Sequence, residues 1–399
     1  MHPADEIRGE ESKKLINKRI VVGVTGSIAA VETIRLCREL IRHGAEVYPV
    51  MTAAAMNILH PNSLWFATGN KPIIELTGAT EHVMFCGKVK NPVDMLLISP
   101  CTANTLSKIA LGIDDTPVTT FATTAIGSGI PVMIAPAMHV SMLRHEYVKN
   151  NLQACKNQGV IIAGPRIEGN KAKMVNPDEI LLQVFRLLGK NDLAHKKVLI
   201  IGGPTMEAVD DIRVLTNRSS GKTAVFLARN AFERGAYVEL WYGPGSESVP
   251  PCVTVKRFES TADILQILKK KSIGDFDIIL VCAAIADYIP KKQVGKIPSG
   301  KQEFVLKLLP APKIIKELRR LAPDSIMVAF KAEEKKKILM EKASAFLKNN
   351  KVDMVVANTV SGFGDKENEI WIMGKKARPI YVRSDKQLLA EKILDQVKK

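Results

Sequence analysis

Cysteine is scarce in this 399-residue chain: the six present (Cys37, Cys86, Cys101, Cys155, Cys252 and Cys282) are scattered, with no Cys-x-x-Cys pair. That excludes a disulfide-stapled secreted scaffold and points to a reducing compartment, the cytoplasm. An apolar leader is missing too, since Met1 to Lys18 is charged and offers no hydrophobic core for a secretory signal. Aromatic side chains make up 5% of the residues, and no basic stripe is interleaved with Tyr or Phe in the way that stacks bases. Nucleic acid is therefore not an expected partner. Long charge-free runs are rare. The exception, Thr116 to Leu143, has no formal charge apart from His139 and would be long enough to cross a membrane. It contains Gly127, Gly129, Pro131 and Pro136, so it reads as a buried helix, a turn and a strand, with no membrane partner.

What the chain does have is an ordinary globular balance, 46% apolar and 25% charged, at a length that suits two domains. Its 57 Lys plus Arg against 41 Asp plus Glu give a formal charge of +16, which favours anionic partners. A solvated basic surface is the plainer alternative. Phosphorylated small molecules explain the excess better if loops suited to phosphate are found.

Arg19 to Val24 (RIVVGV) is a short apolar run ending in Thr25-Gly26-Ser27, and a helical pattern follows from Ile28 to Arg42. Glu46 to Met51 ends at Thr52, Met95 to Ser99 feeds a helix over Pro100 to Ile109, and Val132 to Ala135 and Val160 to Ala163 add two short strands. The design restarts at Lys197 to Gly202 (KVLIIG), after a polar stretch, Gly189 to Lys196, that reads as a linker. Tyr237 to Tyr242, Ile278 to Cys282, Met327 to Phe330 and Met354 to Ala357 predict later strands. Ile370 to Val382 alternates like an antiparallel edge, and a helix over Lys386 to Val397 closes the chain. Such alternation predicts an α/β protein of two tandem domains, residues 1–189 and 190–399, each a mostly parallel Rossmann-like sheet with helices on both faces. Ligands of such sheets sit outside the carboxyl ends of the strands.

In the first domain, Gly23-Val24-Thr25-Gly26-Ser27 can present backbone N–H groups and a hydroxyl to a phosphate at a helix start. It is not G-x-G-x-x-G, and Met51-Thr52-Ala53 lacks the acidic residue that would hold a ribose, which weakens a nicotinamide reading. Taken alone, the loop is equally a tight turn without a ligand. Three further pieces change that: ATEHV around His82, SPCTANTLSKIALGIDD from Ser99, and PAMHVSM from Pro136. With GVTGSIAA they resemble, in order and spacing, the flavin-dependent cysteine decarboxylases, specifically the phosphopantothenoylcysteine decarboxylases, across nearly all of the first domain. The resemblance implies that Gly26, Ser27, Thr52, Thr102 and Asn104 hold FMN, that His82 is the active-site base, and that Met138 and His139 meet the substrate. The implied chemistry is oxidation of the substrate thiol to a thioaldehyde, loss of CO₂, and return of the hydride. Two departures stand out. The family's PxMNxxMW has Asn where this chain has His139 and Trp where it has Leu143. The later loop that carries the family's proton-donating cysteine corresponds to Pro165 to Met174 (PRIEGNKAKM), which has none; Cys155 is the nearest, a weak candidate because it reads as part of the preceding helix.

In the second domain a long loop, Pro204 to Ser220, precedes a helix starting at Gly221-Lys222-Thr223. A Walker A motif would need glycine at Thr216, so this is not a P-loop. What remains is a wide loop offering Arg213, Asn217, Arg218, Ser219 and Ser220 beside a helix N-terminus, either an anion cradle or a solvent-exposed loop. Its wording, GGPTMEAVDDIRVLTNRSSGK, resembles the phosphopantothenate-cysteine ligases, as do Ala283 to Tyr288 (AAIADY), Gly295-Lys296-Ile297, Ala329 to Glu333 (AFKAE) and Val356-Ala357-Asn358. That resemblance runs from Lys197 to the C-terminus. It implies that a nucleotide, CTP with Mg2+ in the microbial form fused to a decarboxylase, activates the phosphopantothenate carboxylate, and that the amine of cysteine then displaces CMP. It places Asn217 at the acyl intermediate, Arg213 near the phosphopantothenate, Asp287, Phe330 and Lys296 around the nucleotide, and Ala283 and Ala284 in the loop against which it packs. With His82, Asn217 and Lys296 complete the implied catalytic set. Two lysines common later in the family are Phe346 and Asn350 here, so CTP and ATP both stay open.

The two resemblances name consecutive steps in coenzyme A synthesis. The expectation is conversion of 4′-phosphopantothenate, cysteine and CTP to phosphopantothenoylcysteine and then to 4′-phosphopantetheine, by a homo-oligomer. The alternative, kept open by His139 and the missing cysteine, is a flavin-binding regulatory protein built on the decarboxylase fold.

Overall fold

Short runs of β-branched and aliphatic residues set the architecture of the chain, three of them in the first half followed closely by a helix-capping hydroxyl, Ser27, Thr52 and Thr102. The computed structural model describes residues 2–168, 171–298, 300, 303–359, 367–375 and 378–397. The chain divides into two units, Met1–Gly189 and Lys190–Lys399.

In the first unit, β1 (Arg19–Val24), β2 (Glu46–Met51), β3 (Met95–Cys101), β4 (Val132–Pro136) and β5 (Ile161–Ile162) form a parallel sheet in the order β2-β1-β3-β4-β5. Successive residues of β1 feed opposite layers. Ile20, Val22 and Val24 join Leu36, Leu40, Leu97 and Phe185 on one face, while Val21 joins Leu96, Ile98, Phe121 and Ile134 on the other. Helices cover both faces, as the sequence pattern predicts.

The second unit carries β6 (Lys197–Gly202), β7 (Tyr237–Tyr242), β8 (Thr254–Arg257), β9 (Ile278–Val281), β10 (Ile326–Glu333), β11 (Met354–Thr359), β12 (Glu367–Gly374) and β13 (Ile380–Asp385). Their order is β8-β7-β6-β9-β10-β11-β12-β13, parallel as far as β11 and antiparallel beyond. Val198 and Ile200 pack with Leu227, Ala231, Leu389 and Ile393, and Leu199 and Ile201 with Ile264, Leu268, Leu318 and Leu339. The strand order reverses between β1 and β3 in the first unit and between β6 and β9 in the second. In open α/β sheets these switch points leave a crevice at the carboxyl edge where ligands bind.

Several expected boundaries shift. The helix expected from Ile28 opens as a 3₁₀ turn, Ile28–Glu32, before α-helix Thr33–Arg42. β3 continues through Pro100 to Cys101, so its helix begins at Ala103. The expected linker is tied to the second unit at its far end: Leu193 is buried, and Asp192 takes two 2.7 Å bonds from the buried Arg234. The loop expected over Pro204 to Ser220 contains an antiparallel hairpin, Met206–Ala208 with Val214–Thr216. Thr116 to Leu143 holds helix Pro117–Ser128, β4 and a short strand, Met138–His139. No helix among the described residues is long and apolar enough to cross a membrane.

Candidate active sites

At the β1–β3 switch point Thr25, which the sequence reading places in the loop but gives no role of its own, joins two loops. The buried Thr25 hydroxyl donates to the carbonyl of Pro100 (2.8 Å) and accepts the N–H of Thr102 (3.0 Å). Gly26 follows. A β-carbon there would lie 2.6 Å from Cβ of Ala54, closer than such atoms approach, so only glycine lets the β1 and β2 loops come together. Ser27, Thr52 and Thr102 are the N-caps of the 3₁₀ turn, of Ala53–Met56 and of Ala103–Leu111 respectively. Three hydroxyl-bearing residues thus open three helical segments at one sheet edge, where N–H groups and helix dipoles favour an anion. Asn104 is exposed in the first turn of the last of these helices.

The Met138–His139 strand enters the same edge, because the N–H of Ala137 bonds the carbonyl of Cys101 (2.9 Å). Met138 and His139 pair antiparallel with Ala172 and Lys171 of a small three-stranded sheet. His139 Nδ1 lies 2.7 Å from the Ser141 hydroxyl and caps helix Val140–Arg144. In the stretch matching the family's cysteine loop, Gly169 and Asn170 lie outside the described residues. Cys155 sits on helix Glu146–Asn157, wholly buried, with burial pushing its thiol up to about 11. The helical position is the one expected, and the burial counts against Cys155, already the weak candidate, as proton donor.

His82 lies on the short helix Glu81–Cys86. Its Nδ1 is shielded from solvent and has no hydrogen-bond partner among the described residues. No hydrogen bond joins it to the loops above. A buried ring nitrogen left unpaired is costly, and such exceptions are found where a group awaits a ligand or a proton.

In the second unit the structure joins residues far apart in the chain. Asn217 Nδ2 donates to the carbonyl of Ala284 (3.0 Å), and the Ala284 N–H bonds Gly203 O (3.0 Å). The buried Thr205 hydroxyl accepts the N–H of Ala286 (3.0 Å), and its carbonyl accepts the Thr216 hydroxyl (2.8 Å). The loops after β6 and β9 therefore meet at the switch point with Asn217, Ala283 and Ala284 among them. Helix Lys222–Glu233 starts at the same place. Gly221, at φ 78°, precedes it, and a β-carbon there would run into the Tyr242 ring.

Arg213 and the Lys296 segment are joined through Asp210, which sequence reasoning also missed. The buried Asp210 carboxylate accepts the N–H of Ile212 (2.8 Å), the N–H and Nη1 of Arg213 (both 2.6 Å) and the N–H of Ile297 (3.0 Å). Arg213 Nη1 also donates to the carbonyl of Ile297 (3.1 Å). The Arg213 N–H above all, with those of Ile297 and Ile212 and the guanidinium, outweighs burial and holds this carboxyl well below the usual carboxylate range. The signal in the sequence is an Asp three residues before the Arg, a spacing at which a carboxylate folds back on its own turn.

Lys296 itself is exposed and makes no ion pair among the described residues. Asp287 is exposed and paired with Lys313 at 2.6 Å. Phe330 lies on β10, half-buried against the core that includes Val328 and Val356. No hydrogen bond joins Lys296, Asp287 or Phe330 directly to Asn217.

A family model described as Flavoprotein matches residues 8–189, and one described as DNA/pantothenate metabolism flavoprotein C-terminal domain matches residues 193–399. The Coenzyme A biosynthesis bifunctional protein CoaBC of Thermococcus kodakarensis is 43% identical, covering 100% of this chain and 99% of that one. Its namesake in Methanocaldococcus jannaschii is 38% identical over 100% and 98%, and that of Escherichia coli K12 is 31% identical over 96% and 97%. Among solved structures, the C-terminal domain of a CoaBC protein matches at 30% identity and a TM-score of 0.45, covering 52% of this chain and 96% of that one. The peptidyl-cysteine decarboxylase EpiD matches at 24% identity and a TM-score of 0.36, over 41% and 96%.

Proposed function

The chain belongs to the family of bifunctional coenzyme A biosynthesis proteins, and on that premise we propose which unit does what and which residues do it. The second unit joins 4′-phosphopantothenate to cysteine at the expense of CTP, and the first decarboxylates phosphopantothenoylcysteine to 4′-phosphopantetheine with FMN. The observation that supports this division is that a Flavoprotein model matches residues 8–189 and a DNA/pantothenate metabolism flavoprotein C-terminal domain model matches residues 193–399, one for each unit.

In the ligase unit, a carboxylate attacking an α-phosphate brings two like charges together, so cations must offset them. Arg213 would take the anionic substrate with the nitrogens that Asp210 leaves unengaged. Lys296 would reach the triphosphate, whose charge Mg2+ would help to offset when bound. The Asn217 amide would donate to the oxyanion of the acyl intermediate as the cysteine amine enters and CMP leaves. Asp287, Phe330 and the Ala283-Ala284 loop would seat the nucleotide.

In the decarboxylase unit the cradle fits a flavin phosphate: Gly26 allows close approach, and Ser27, Thr52 and Thr102 open helical segments around it, with Asn104 beside them. FMN, when bound, supplies the hydride exchange that makes the carbon next to the carboxylate easy to decarboxylate. His82 would hold the proton that leaves the substrate, which gives its unpaired Nδ1 a use. Met138 and His139 would meet the substrate, His139 offering an imidazole to the carboxylate where the family has an amide.

The finer assignments are tested by nucleotide exchange. CMP release with CTP and Mg2+, abolished by a chelator, and AMP release at least about tenfold slower when ATP replaces CTP, is the expected result, tenfold being about 1.4 kcal/mol of discrimination. Equal rates with both nucleotides would overturn the preference for CTP.

A further inference from the structure

The ligase reading names Arg213 and Lys296 as working cations, yet the two lie 83 residues apart in sequence and come from different loops. One side chain connects them. Asp210 is buried, and its two oxygens are shared between its own turn and the Lys296 segment: one accepts the N–H groups of Ile212 and Arg213, the other accepts Arg213 Nη1 and the N–H of Ile297. Arg213 Nη1 also donates to the Ile297 carbonyl. Asp211 adds an outer tether, accepting the N–H of Gly295 (2.8 Å) and pairing with Lys292 (2.9 Å), without touching Arg213.

We infer that Asp210 is a positioning residue of the ligase site, holding the Arg213 guanidinium and the backbone beside Lys296 in one arrangement before substrate arrives. The inference rests on the ligase reading and goes beyond it. Guanidinium has five donors in a fixed plane, and here only Nη1 is engaged, so Nε and Nη2 have no protein partner among the described residues. A cation anchored by one nitrogen, with the remainder available, is arranged for a two-pronged grip on a carboxylate or phosphate. The anchor also removes the rotamer freedom that a partly exposed Arg would otherwise lose on binding.

The substitution Asp210→Asn keeps the shape but turns the oxygen facing Arg213 Nη1 and the Ile297 N–H into an NH₂ group. In the full-length protein it should weaken 4′-phosphopantothenate binding, measured by titration calorimetry, by about tenfold or more and slow CMP release by about a hundredfold, with the KM for cysteine unchanged. Asp211→Asn should change either quantity by less than about threefold. The double variant Asp210→Asn/Arg213→Gln should be no weaker than Arg213→Gln alone, since both act through one group. Should Asp210→Asn melt below the assay temperature, Asp210→Glu, which shifts the charge by one methylene, takes its place with the same readouts. Wild-type binding by Asp210→Asn, additive losses in the double variant, or equal losses in Asp210→Asn and Asp211→Asn would overturn the inference and leave the ligase reading standing. A wild-type protein that neither binds 4′-phosphopantothenate nor releases CMP would sink both.

Discussion

Asn217 Nδ2 donates to the carbonyl of Ala284 at 3.0 Å, bridging 67 residues of sequence and the two loops that flank the β6–β9 switch point. The bond holds the Asn217 amide in place at the crevice before any substrate binds. Asn217→Asp replaces that donor with a carboxylate facing a carbonyl, so the loop contact and the oxyanion donor go together. CMP release should fall by about 10²–10³, while decarboxylation of supplied phosphopantothenoylcysteine stays at the wild-type rate. Loss of decarboxylation in this variant would contradict the division between the units.

His82→Asn removes the ring that would carry the proton in the first unit. Decarboxylation should drop by about 10²–10⁴, the usual worth of a positioned acid–base group. The bound flavin spectrum and the rate of CMP release should not move. A variant that decarboxylates normally would remove His82 from the chemistry.

Gly26→Ala puts a methyl group 2.6 Å from Cβ of Ala54 and 3.1 Å from its carbonyl carbon, so one of the two loops must shift. The expected cost is about 1–3 kcal/mol of stability in the first unit, together with loss of yellow flavin colour on purification. Retention of a full complement of flavin would show that the β1 loop does not approach the ligand closely.

Stability should depend on pH through Asp210. Its carboxyl is held below the ordinary carboxylate range by the N–H of Arg213 first, then by those of Ile297 and Ile212 and the Arg213 side chain, against the pull of burial. A group depressed in the folded state stabilises it fully above the unfolded value of about 4 and loses that contribution as pH falls through the folded value. The melting temperature of the second unit should therefore fall below about pH 4, and Asp210→Asn should flatten that fall. An unchanged slope in the variant would rule Asp210 out as its source.

Much of this was legible in sequence because it is written in local pattern. RIVVGV and KVLIIG are buried on both faces and declare themselves as central parallel strands, and the small or turn-forming residues that follow, Thr25-Gly26-Ser27 and Gly203-Pro204, mark the carboxyl edge. Thr254–Arg257 (TVKR) is not legible in the same way, because this edge strand holds one apolar residue beside two adjacent cations and lacks such a run. The hairpin within Pro204 to Ser220 has strands of three residues, too short to show a period, and its turn is set by Asp210 contacts. Thr25 and Thr205 were invisible for a different reason: their partners lie 75 to 81 residues away, and only the fold brings them within hydrogen-bond reach. Cys155 was legible as part of the helix before the loop, but its complete burial is a product of packing that spacing does not show.

The most direct test gives the purified protein 4′-phosphopantothenate, cysteine, CTP and Mg2+, and follows products by mass. The expected result is CMP together with phosphopantothenoylcysteine that passes on, with release of CO₂, to 4′-phosphopantetheine. Absence of CMP would contradict the ligase assignment, and phosphopantothenoylcysteine that accumulates without CO₂ would contradict the decarboxylase.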